Sequence, residues 1–150
     1  MAKTLNQVIS QIKAIATAHE QIKSVWFGDL YDYLSRGDDN KYPSLFLDLT
    51  SANISGREIN FSFSLYFFDR VLAEQSNETE VLSDQLLVAQ DIIAQLRYDY
   101  NDFDTDENVQ INFFTEDTPD MLAGVKADIT ITYPFVSDRC QIPTSYTYPS

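Results

Sequence analysis

One histidine, one cysteine, two methionines and four glycines in 150 residues leave little material for the commonest kinds of site chemistry. With His19 as the sole imidazole, a cluster of histidines cannot hold a metal, and any nucleophile with an imidazole base would have to be built around that ring. His19 falls at the end of an amphipathic stretch, a position where the ring serves the last carbonyls of a helix. Cys140 cannot close a disulfide within the chain, so the fold does not require an oxidising compartment. It stands in a proline-flanked segment with nothing beside it to activate a thiol. None of the glycines falls in a GxGxxG or GxxxxGK pattern, which argues against a phosphate cradle. No catalytic residue, metal ligand or cofactor is assigned.

Positive charge is scarce as well. Ten Lys and Arg against 23 Asp and Glu give a formal net charge of -13, which repels phosphate backbones and excludes direct sequence-specific nucleic-acid binding. No apolar run approaches the ~20 residues of a membrane-spanning helix. The opening MAKTLNQVISQ lacks the apolar core and cleavage site of a secretion signal, so folding in a cytosol is expected.

What the chain has in quantity is aromatic and aliphatic side chains: 44% of residues are hydrophobic, ten are Phe and nine are Tyr. That is enough apolar surface for one ordinary core, and the length fits one domain. The pattern places a single α+β domain over residues 1–135 and an extended tail over 136–150. REINFSFSLYFF, from Arg57 to Phe68, puts Ile59, Phe61, Phe63, Leu65 and Phe67 on one side of an extended chain and Tyr66 and Phe68 on the other. It is expected to be the central strand.

Around it the chain reads as two main helices and a mostly antiparallel sheet of about five strands, in the order α-β-β-β-α-β-β. Thr4 with Gln7 forms a capping box ahead of an amphipathic helix that ends near Ala18. Strands follow at Ile22–Gly28 and Tyr42–Thr50, separated by a polar excursion from Asp29 to Lys41, and SANISG turns the chain into the central strand. A second helix spans about Thr79–Tyr98, with Asn77 and Glu80 as its cap. ENVQINFFTE is a strand, EDTPDMLAG a turn region, and VKADITITYPF a half-buried strand with Val125, Ala127, Ile129, Ile131 and Tyr133 inward.

Two features invite a functional reading. Asp102, Asp104 and Asp106 match the first three ligand positions of a calcium loop, but Glu107 stands where a glycine is needed and Phe113 where a bidentate glutamate belongs. The run is read as a solvated loop. Aromatics on the second face of the sheet need either the first helix or another subunit over them. A contact surface is therefore assigned to Tyr31, Tyr33, Asn53, Ile54, Tyr66, Phe68, Tyr146 and Tyr148, where exposed loops, the hairpin tip and the tail add interface-type side chains.

The stretches TLNQVISQIKAIATAH, QIKSVWFGDLYDYL, YPSLFLDL and REINFSFSLYFFDR, with the closing TYPF and its tail, resemble the neck and tail-completion proteins of tailed bacteriophages, the tail terminators and head-tail joining proteins, in particular those of phages of gut bacteria. The resemblance implies a tail-terminator-like fold and a virion structural subunit, assembled in the host cytoplasm into a ring at the head-tail junction. Its partners would be copies of itself and neighbouring neck, portal or tail-tube proteins, with DNA passing through the lumen. The competing readings from the residues are a small acidic adaptor or inhibitor that binds one protein through its sheet, and a hydrolase using His19.

Overall fold

The structure, a computed structural model, describes residues 4–28, 42–71, 77–97, 103–117, 121–134 and 143–147. Helices α1 (Leu5–Ala18) and α2 (Glu78–Leu96) accompany strands β1 (Ser24–Phe27), β2 (Ser44–Ser55), β3 (Glu58–Arg70), β4 (Asp104–Thr105), β5 (Gln110–Asp117) and β6 (Met121–Pro134). This is the expected α+β order, with the short β4 inserted before β5. The strands run β1-β2-β3-β6, and both β4 and β5 pair with β6; β1 is parallel to β2 and every other pairing is antiparallel. β3 is central, paired along its whole length with β6 and nearly all of it with β2.

The period-two pattern lays Leu45, Leu47, Phe61, Phe63, Leu65, Phe67, Val125, Ala127, Ile129, Ile131 and Tyr133 on one face. Val8, Ile12 and Ala16 of α1 and Val88, Ala89, Ile92, Ile93 and Leu96 of α2 join the same cluster. Both helices thus cover one face, so α1 does not shield the aromatics on the other. They share it side by side: α1 contacts β1 and α2, while α2 packs on β3 and β6.

α1 begins at the expected capping box: the Gln7 N–H donates to Thr4 Oγ1 and the Thr4 N–H to Gln7 Oε1. α2 starts without a side-chain cap bond from Asn77, and its first turn instead carries Glu78 and Glu80, whose charge complements the helix dipole. It ends at Leu96, so Tyr98 lies outside both the helix and the described residues.

Three boundaries differ from the sequence reading. SANISG is mostly strand: β2 and β3 pair from Ser55↔Glu58 inward, and only Gly56 and Arg57 form the turn, with Gly56 at φ 61°. A bulge between Leu49 and Ser51 re-phases the ladder, and Thr50 Oγ1 donates to the Ser62 carbonyl at 3.0 Å. The period-two pattern of Leu45, Leu47 and Leu49 breaks at that extra residue, which disguises the rest of the strand. β1 is shorter than expected, starting at Ser24. β6 begins earlier, at Met121, because Leu122 and Ala123 continue the pairing with β3 and are buried.

Candidate functional site

The second face carries cross-strand rows set by the register. One row runs Trp26, Phe46, Tyr66 and Lys126, and the next runs Ser24, Ser44, Phe68, Gly124 and Phe114. Because residues directly opposite on one face touch, these rows gather the aromatics into a cluster of Phe46, Phe68 and Leu122 with Trp26, Tyr42, Tyr66 and Phe114 packed against it. The Phe68 and Phe114 rings meet edge to face at 6.3 Å, Tyr66 and Phe114 at 5.9 Å, and Phe46 and Tyr66 at 6.5 Å.

The cluster has a charged margin. Lys126 Nζ lies 5.7 Å from the Tyr66 ring and Arg70 sits 5.3 Å from the Tyr42 ring, both cation-π contacts. Ser64 Oγ donates to Asp128 Oδ1 at 2.7 Å, and the same carboxylate pairs with Lys126 at 3.8 Å. Burial raises the pKa of the Tyr66 hydroxyl, with the Lys126 ammonium opposing that shift. The hydroxyl is therefore neutral at physiological pH, and the surface offers an aromatic plate with mixed charges at one side.

Of the residues assigned to a contact surface, Tyr66 and Phe68 come together in this cluster. Phe68 is 1% exposed, so it supports the face from within the chain and is not itself presented at the surface. Asn53 and Ile54 lie apart, on the exposed end of the β2-β3 hairpin, where Ile54 is 57% exposed. Tyr146 is 65% exposed in a segment without regular secondary structure. Tyr31, Tyr33 and Tyr148 lie outside the described residues. Trp26 and Tyr42 belong to the plate although the sequence reading passed over them; the signal was available in the parity of Trp26 with Phe46 once β1 and β2 are paired in parallel.

His19 is the C-cap residue of α1, its N–H bonded to the Ala16 carbonyl. Its Nδ1 accepts from the Gln21 N–H at 3.1 Å, which leaves the proton on Nε2 to donate to Asp91 Oδ2 at 2.9 Å. The ring thereby ties the end of α1 to α2. Cys140 lies outside the described residues. In the acidic run, Asp102 also lies outside them, and Asp104 is a strand residue opposite Thr132. Asp106 and Glu107 turn their carbonyls to the Arg97 guanidinium, which holds the loop. Among the described residues no group of three or more His, Cys, Asp and Glu side chains could hold a metal ion. No helix among them is long and apolar enough to cross a membrane.

In comparison with known proteins, the sequence matches no protein-family model and no curated protein.

Proposed function

We propose that this chain is a structural subunit of a tailed-bacteriophage neck or tail, a tail terminator or head-tail completion protein that forms a ring at the head-tail junction. The observation that carries the reading, beside the resemblance of the sequence, is the outer edge of β2. That strand has 12 residues, yet β1 pairs only with Ser44–Leu47. From Asp48 to Ser55 no other described strand covers this side, and the stretch from Leu49 to Ser55 contains no lysine, proline or charge. Proteins that remain single guard such edges with these residues. An open, neutral edge suits a strand that receives a neighbouring subunit.

The strong negative charge fits the same role, since an acidic lumen would keep a passing genome from adhering to its wall. Neighbouring portal or tail-tube proteins would then meet the remaining loops. The adaptor reading draws on a different observation, the aromatic plate around Tyr66, which one protein partner could cover. Native mass spectrometry of the purified chain and imaging of intact particles test the choice. A closed high-order homo-oligomer, or a ring of this polypeptide at the neck, is the expected result. A species that stays monomeric or dimeric and occurs in no particle rejects the ring and leaves the adaptor.

A further inference from the structure

The open edge of β2 has a counterpart at the opposite margin of the sheet. β5 pairs with β6 on one side, and among the described residues no strand pairs with its other side. Both edges are neutral in a chain of net charge -13: residues 49–56 and residues 108–115 are two stretches of eight without a charge. Two copies of such a chain repel each other except where neither presents a carboxylate. Each edge also exposes a large apolar side chain, Ile54 on β2 and Phe113 on β5, both 57% open. The ladders put these two on the same face. Ile54 stands opposite Ile59 and Phe113 opposite Val125, and Ile59 and Val125 both pack with the core under the helices.

We propose that the occupant of the β2 edge is β5 of a second copy of this chain, so that one sheet continues head to tail from subunit to subunit. This pairing deepens the ring reading, on which it rests. Three antiparallel steps, β2 to β3, β3 to β6 and β6 to β5, make β5 run opposite to β2. A copy set beside β2 in the same orientation therefore presents an antiparallel strand and keeps its helices on the same side. The unpaired N–H and C=O groups along each edge are a template for that strand. A contact between two different surfaces propagates, as a ring requires, whereas β2 against β2 would stop at two subunits. Among registers that keep both faces in phase, the one with Ile54 opposite Ile111 also sets the small Ala52 opposite the Phe113 ring. On the other face it sets Asn53 opposite Asn112. At the hairpin turn it brings Arg57 beside Glu107, both exposed, so opposite charges close that end of the contact.

Cysteine cross-linking of the full chain in a Cys140→Ser background tests it. Asn53 and Asn112 are exposed, and within one subunit three strand spacings separate them, roughly 14 Å, too far for a disulfide. On oxidation the double variant Asn53→Cys, Asn112→Cys should give a ladder of covalent oligomers that ends at the ring size, while each single variant runs as a monomer on a denaturing gel. In a second measurement Ile54→Lys and Phe113→Lys, each left with one working edge, are mixed in equal amounts. Native mass spectrometry should show a dimer of one of each and nothing larger. A closed oligomer of the parent with no bridge in the double variant overturns the edge pairing and leaves the ring. A ladder without a final size keeps the pairing and rejects the ring. A bridge in Asn53→Cys alone, or a chain that stays single and unbridged, overturns both.

Discussion

Gly124 of β6 lies so close to Phe67 of β3 that a Cβ placed on it would overlap the Phe67 carbonyl oxygen and come within 2.7 Å of Phe68 Cα. The obstruction is backbone in the middle of the sheet, so no side chain can rotate away. Gly124 also stands between Phe68 and Phe114 in their cross-strand row, where the absence of a side chain lets those rings meet. Gly124→Ala should destabilise the fold by about 3 kcal/mol through forced separation of the strands. Gly56→Ala, where a Cβ meets nothing within 4 Å but φ is positive, should cost only about 1 kcal/mol. Urea unfolding of the two variants checks the order.

The face assignment of β3 is tested at Phe63, which is 1% exposed between Leu49 and Ile129. Phe63→Ala should cost on the order of 3 to 5 kcal/mol. Phe113 has the same parity as the core residues of its strand, opposite Val125, yet is 57% exposed at the sheet margin. Phe113→Ala should change stability by no more than about 0.5 kcal/mol. A loss below about 1 kcal/mol at Phe63 would reverse the faces.

These two phenylalanines mark how far the sequence could be read. Alternation in β3 and β6 specifies both faces because each strand is long and one side must be dry. The same rule fails to rank Phe63 above Phe113, since lateral position in the sheet depends on pairing partners far along the chain. The β2 hairpin was obscured by one bulged residue at Thr50, and α1 was left free to cover either face because an amphipathic stripe does not say which surface it meets. Gln85 likewise looks like an ordinary helix residue until its place on the buried stripe of α2 is known.

Asp69 makes stability depend on pH in a stated direction. Its pKa is raised above 3.8, chiefly by burial, so the native chain holds this proton to higher pH than the unfolded chain does. The stability that goes with the proton is complete below the unfolded value and is lost as pH rises through the higher native one. Asp69→Asn keeps a neutral acceptor for the Arg70 N–H and removes this dependence. The stability of the variant minus that of the parent should therefore increase as pH rises from 3.8 through the raised value, then level off. Denaturation midpoints across that range check it, and a difference that falls with rising pH contradicts the assignment.

Arg97 follows the last helical residue of α2 and donates to the carbonyls of Asp106 and Glu107, closing the acidic loop onto the helix. Within that loop Phe103 packs against Tyr133 at 5.3 Å, and Asp104 and Thr105 pair with β6. Arg97→Met retains the aliphatic stem and removes the donors, for an expected cost of about 1 kcal/mol. Hydrogen exchange should quicken from 103 to 109 while the centre of α2 is unchanged. Added calcium should not restore protection if the guanidinium, rather than an ion, holds this segment.

If the β2 edge receives a neighbouring subunit, a charge placed there should stop assembly without unfolding the chain. Ile54→Lys introduces the kind of residue that guards natural edges, at a position 57% exposed, so the monomer should lose no more than about 0.5 kcal/mol. Leu87→Lys makes the same change of charge at a comparably exposed site on α2, 55% open, and separates the effect of the edge from that of net charge. Native mass spectrometry should show the Leu87 variant forming the same oligomer as the parent and the Ile54 variant reduced to single subunits. Equal assembly by both would remove this edge from the interface, because a buried ammonium at the junction of two strands could not go unnoticed.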